Sequence, residues 1–136
     1  AFTSVFTFLR LKYTCDWKLF NMITIEAFQK LALALPEAEE APHFDKISFR
    51  VRKKIFATLD ISNKRVCMKL SDVDQSVFST KDQVIVYPVP NKWGKQGWTF
   101  FELSKVNKNL CVDALQTAYC EVAPKSLASV VQPPED

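Results

Sequence analysis

Residues Val84–Leu103 read VIVYPVPNKWGKQGWTFFEL, and this stretch decides the fold. Val84 to Val89 is rich in β-branched and aromatic residues, as is Trp98 to Leu103, and such runs suit strands. The residues between them are polar and carry Gly94 and Gly97, the only two glycines in the chain. Glycine adopts the positive φ that a reversing backbone needs. The stretch is therefore a β-hairpin with a medium-length loop, whose tip presents Lys92, Trp93 and Lys95.

Working upstream, three more strand-like runs appear. Ile47, Phe49 and Val51 alternate with Lys46, Ser48, Arg50 and Arg52, the pattern of a half-buried strand with a basic outer face. Lys53-Lys54 is read as a tight reversal, Ile55–Ile61 as the return strand, and Ser62-Asn63-Lys64 as the next turn. Arg65–Leu70 then places Val66, Met68 and Leu70 on one face and Arg65, Cys67 and Lys69 on the other. Antiparallel pairing of these strands would gather Arg50, Arg52, Arg65 and Lys69 on one sheet surface.

Helices flank the strands. Thr24 is an N-cap, Glu26 sits in the first turn, and Ile25, Phe28, Leu31, Ala32 and Leu35 form an apolar stripe ended by Pro36. Glu37, Glu39, Glu40 and Asp45 mark a solvated acidic loop, since no ligand spacing of a cation-binding loop occurs there. Ser71-x-x-Asp74 resembles a capping box and opens a short helix through Val77 and Phe78. Asn107 or Asn109 caps a final helix that buries Cys111, Leu115, Ala118, Tyr119 and Val122, and Pro124 stops it. The expected order is α-β-β-β-α-β-β-α. That is an α+β two-layer domain with helices packed on a mostly antiparallel sheet.

The 136 residues suffice for one domain and carry a formal charge of +3. Residues 1–21 hold Arg10, Lys12 and Lys18 against Asp16, which leaves only +1 for the rest. Any basic character must therefore be local. Met22 reads as the natural start, with residues 1–21 as an upstream or added extension; the other reading is an N-terminal strand in which Leu9, Leu11 and Tyr13 alternate with Arg10 and Lys12. The domain is expected over residues 22–127, followed by a tail over 128–136.

The chemistry-bearing residues are sparse. Cys15, Cys67, Cys111 and Cys120 form no C-x-x-C pair, and His43 is the lone histidine, so neither zinc nor a disulfide framework is expected. Buried free thiols in a cytoplasmic protein fit instead. No nucleophile with an orienting base, phosphate loop or dinucleotide fingerprint occurs. The expectation is a non-enzymatic module without cofactor or metal, and without a membrane span, because no apolar run of eighteen residues exists.

The sequence resembles the MmcQ/YjbR family. The resemblance rests on Leu35-Pro36-Glu37, on Phe49–Leu59 (FRVRKKIFATL), and on Val66-Cys67-Met68-Lys69-Leu70. It continues through Trp98-Thr99-Phe100, Ala118-Tyr119 and Val122-Ala123-Pro124-Lys125, spanning about Met22 to Leu127. It implies a CyaY-like fold, a mostly bacterial distribution, and DNA binding through a double-wing motif. Lys53-Lys54 stands where many relatives turn on a glycine, which leaves the type of that turn open.

Two functions follow. In the first, Arg50, Arg52, Lys53, Lys54, Arg65 and Lys69, with Lys92, Trp93 and Lys95, bind DNA weakly and without sequence preference, cations on phosphates and Trp93 on bases. In the second, the aromatic hairpin 84–103 serves a protein partner, a small ligand or a homodimer. Phe100 and Phe101 are adjacent, so they point to opposite sides of a strand.

Overall fold

The computed structural model describes residues 23–80 and 82–131. The expectations for residues 1–21, for Cys15 and for the end of the tail lie outside them. The elements are α1 (Ile25–Leu33), β1 (Ala38–His43), β2 (Lys46–Val51), β3 (Lys54–Asp60), β4 (Arg65–Lys69), α2 (Asp72–Ser79), β5 (Val86–Pro88), α3 (Lys92–Lys95), β6 (Trp98–Glu102), α4 (Lys108–Val122) and α5 (Lys125–Val131). The six strands form one antiparallel sheet in the order β1-β2-β3-β4-β6-β5. The α+β class and the hairpin that joins β5 to β6 are as the sequence reads.

The caps behave as their residue types require. The amide of Ala27 donates to Thr24 Oγ1 at 3.0 Å and that of Asp74 to Ser71 Oγ at 3.1 Å. Of the two asparagines before α4, Asn107 is the cap: its Oδ1 accepts from the amide of Asn109 at 2.8 Å. Each satisfies a helical N–H that has no intrahelical partner.

The core lies between the sheet and three helices. Phe28 of α1 meets Phe49 edge-on at 5.8 Å, Phe78 of α2 meets Phe101 at 6.2 Å, and Tyr119 of α4 meets Phe56 at 5.4 Å. All three contacts are on one face of the sheet. Between β2 and β3 the register shifts, so Phe49 faces Ala57 and Arg50 faces Ile55. Phe56 is thus the extra residue of a β-bulge, and both Phe56 and Ala57 turn into the core. Tyr119 also donates its hydroxyl to the carbonyl of Pro36 at 2.6 Å, which ties α4 to the α1–β1 connection.

Three elements add to the expected order. The acidic stretch 37–45 is a loop only at its ends. Ala38–His43 forms edge strand β1 against β2, with Glu39 opposite Arg50 and His43 opposite Lys46. Its composition hides it: charges and Pro42 suit an edge, where one side of the backbone stays unpaired. Pro124 ends α4, but its carbonyl then accepts from the amides of Leu127 and Ala128, and α5 begins. The β5–β6 loop winds one helical turn, α3, capped by Asn91. The first reversal is also displaced by one residue: Arg52 and Lys53, at φ 51° and 70°, form the turn, and Lys54 already belongs to β3. Positive φ at both central residues is the demand of a type I′ hairpin turn.

Two positive-φ residues predict opposite effects. Phe44 (φ 59°) tips the β1–β2 hairpin and is 94% exposed, a bulky side chain in a conformation that favours asparagine or glycine. Gly97 (φ 104°) packs so tightly that an added Cβ would lie 1.8 Å from the carbonyl oxygen of Leu70. Urea denaturation should show Phe44→Asn more stable by about 0.5 kcal/mol and Gly97→Ala less stable by about 2–4 kcal/mol. Equal effects of one sign would contradict the backbone description.

Candidate nucleic-acid interface

The sheet face opposite the helices carries the polar half of each strand. The register puts Arg50, Ser48, Thr58, Cys67, Phe100 and Tyr87 there, with Arg65 opposite Glu102 and Lys69 opposite Trp98. Adjacent Phe100 and Phe101 separate as expected: Phe101 is fully buried in the core and Phe100 lies on this open face.

Long side chains lie along this surface. Arg50 donates from Nε to Ser48 Oγ at 3.0 Å and covers that serine, whose hydroxyl donates to the carbonyl of Ala41 at 2.9 Å. The Arg65 guanidinium stacks 4.1 Å over the Phe100 ring, and its Nη1 donates to Tyr87 Oη at 3.4 Å. Tyr87 in turn donates to Glu102 Oε2 at 2.6 Å. Burial, then this bond to a carboxylate, raises the Tyr87 phenol above its ordinary value. Arg65 Nε is buried with no hydrogen-bond partner, so stacking and one hydrogen bond hold this side chain.

The antiparallel register sorts the cations by end. Val51 pairs with Lys54 at the β2–β3 tip, Lys69 is the last residue of β4, and Trp98, opposite it, is the first of β6. The turn residues Arg52 and Lys53, with Lys54, Lys69 and the α3 residues Lys92 and Lys95, therefore lie at one end of the sheet, and Arg50 adjoins them. Arg65 stands at the other end, beside Asp60 and Glu102. Arg50, Arg65 and Lys69 share one surface, whereas Arg52 is a turn residue.

Not all of these charges are free. Arg52 makes a two-pronged ion pair with Glu37, Nε to Oε1 at 2.7 Å and Nη2 to Oε2 at 3.0 Å. The hydrogen bond from Arg52 holds the Glu37 carboxyl below its ordinary value. Lys69 Nζ donates to the carbonyl of Gln96, which fixes its charge beside the β5–β6 loop. Lys92 Nζ lies 5.6 Å from the centre of the Trp93 ring, and Trp93 is 49% exposed. Lys53, Lys54 and Lys95 are exposed. Glu39 faces Arg50 from β1, and Asp72 is exposed at the start of α2.

Gln75 of α2 secures this loop. Its Nε2 donates to the carbonyls of Gly94 (2.9 Å) and Trp98 (3.3 Å) and to Thr99 Oγ1 (3.0 Å). No pattern in the sequence marks Gln75, because its partners are nineteen or more residues away. Tyr87 and Trp98 belong to the aromatic hairpin that the sequence marks, and strand order places both on the open face.

Among the described residues no three His, Cys, Asp or Glu side chains gather as a metal site. No described helix is long and apolar enough to cross a membrane. His43 packs edge-on against Phe44 at 5.0 Å.

The YjbR family model matches residues 33–121. The chain belongs to the YjbR family. The YjbR domain is also similar to the crystal structure of the Deinococcus radiodurans protein DR2400, which carries a DUF419 domain. The TM-score is 0.68 at 19% identity, over 84% of this chain and 91% of that one, a likeness of fold. Comparison with curated proteins found no match.

Cys67, Cys111 and Cys120 are free thiols, and burial pushes Cys67 and Cys111 up to about 12. At pH 8 only about one in ten thousand of such groups is thiolate. By peptide mass spectrometry, N-ethylmaleimide at pH 8 should leave the buried Cys111 of the native protein unmodified and should label the half-buried Cys67 far more slowly than in urea. Labelling of Cys111 within minutes, as fast as in urea, would contradict its burial.

Proposed function

We propose that this YjbR domain is a non-enzymatic module that binds nucleic acid through its phosphates at the basic end of the sheet. One observation carries the reading. Antiparallel register brings the β2–β3 tip, the end of β4 and the α3 turn to the same end, so cations scattered over residues 50–95 become neighbours. Lys53, Lys54, Lys69, Lys92 and Lys95 supply point charges on two hairpin tips and the strand between them. Arg52 adds less, because Glu37 already neutralises it. Among the described residues no helix offers a recognition pattern of base-reading side chains, so contacts to the phosphate backbone dominate and sequence matters little.

Such binding depends steeply on salt, because each phosphate neutralised releases counterions. With roughly four to six phosphates engaged, the log–log salt slope on duplex DNA should be about −4 to −5. Replacing Lys53 and Lys54 together by alanine should flatten it by about two units. Lys105→Ala, an exposed cation beyond the far end of β6, should leave it unchanged. Fluorescence anisotropy at several salt concentrations reads all three. No binding at low salt, or equal loss in both variants, would remove the basic end as the site.

A further inference from the structure

We infer that the site prefers single-stranded to duplex nucleic acid, with bases stacking on the open-face aromatics of β6; this rests on the phosphate-binding reading above. Trp98 and Phe100 point to the same open face from alternate positions of β6, both partly exposed. Phe101 and Thr99, between and beyond them, are buried on the opposite face. Positions i and i+2 of a strand stand about 6.8 Å apart. That is about twice the 3.4 Å rise between stacked bases of a duplex strand. Bases on both rings must therefore be separated from each other, which a single strand permits and a paired helix does not.

The charges flank this row where a backbone would run. Lys69 lies directly opposite Trp98 on neighbouring β4, at the basic end of the sheet. Arg65 already spreads its guanidinium plane over Phe100, and the Tyr87 ring meets Phe100 in a T-shaped contact, 5.6 Å between ring centres. A base at this position extends that stack over the outer face of the Arg65 guanidinium, and Trp98 takes the next base on its own ring. Glu102 stands at the end of the row, with Asp60 on the far side of Arg65, and the Glu102 carboxylate accepts the Tyr87 hydroxyl. The row thus runs from cationic at Trp98 to mixed at Arg65, and the phosphates belong at the Trp98 end.

The test uses the full chain and fluorescein-labelled probes of equal length, at low salt: single-stranded oligothymidylate, the corresponding duplex, and an abasic strand that keeps the phosphates and lacks the bases. Base–aromatic stacking contributes enough per base that oligothymidylate should bind at least about fivefold more tightly than either other probe. The abasic probe needs no protein variant, so it stands if substitutions disturb the sheet. In a folded Trp98→Leu/Phe100→Leu variant, binding of oligothymidylate should fall to the abasic level while duplex binding holds. Equal affinity for oligothymidylate and the abasic strand, or for oligothymidylate and duplex, overturns the single-strand inference and leaves the phosphate reading intact. Absence of binding to every probe overturns both.

Discussion

The contact on which the arrangement depends is backbone against backbone, where Gly97 enters β6 beside the end of β4. The Leu70 amide donates to the Gly97 carbonyl at 2.9 Å, and no side chain fits between them. Gly97 also holds φ 104°, which an L-residue with a Cβ rarely adopts. Gly94 repeats the constraint one turn earlier, where a Cβ would lie 1.9 Å from the Val89 carbonyl oxygen. Both glycines of the chain thus serve close approach. Together they lay β6 between β4 and β5 with Trp98 opposite Lys69.

That register gives the sheet two unlike ends. At one, exposed lysines of two hairpin tips surround the Lys69–Trp98 pair. At the other, Phe44 and Ile61 tip adjacent turns and Asp60 and Glu102 accompany Arg65. Like charges at the basic end repel, and hydrogen bonds and a counter-ion offset this locally. Glu37 grips Arg52, the Gln96 carbonyl accepts from Lys69, and Gln75 holds the loop from beneath. The surface ion pair itself contributes little to stability, since both partners are half exposed and screened by solvent. Its role is to fix the approach of β1 to the first hairpin.

Much of this was legible because the chain is locally consistent. Period-two alternation found β2 and β4, β-branched and aromatic runs found β5 and β6, β3 followed as the return strand between two turns, and Thr24, Ser71 and the Asn107/Asn109 pair announced their helices by side-chain chemistry. What stayed hidden depends on partners far away in sequence. AEEAPH becomes strand β1 only because β2 offers a ladder to its backbone. The Arg52-Lys53 turn carries no glycine to signal its positive φ. Each cation of the site was visible singly, and a shared face for Arg50, Arg52, Arg65 and Lys69 was expected from antiparallel pairing, but their sorting by end of the sheet was not. It follows from the strand order β4-β6-β5, which local pattern leaves open, and this order also removes Arg65 to the opposite end.

The most direct test is a nuclear magnetic resonance titration of the isotopically labelled protein with a short oligonucleotide at low salt. Amide shifts should move at Lys53, Lys54, Lys69, Lys92 and Lys95, with the indole signals of Trp93 and Trp98. Residues Phe44–Lys46 and Ile61–Lys64 should stay in place. Shifts centred on those two turns, with the lysine-bearing tips unmoved, would contradict the account.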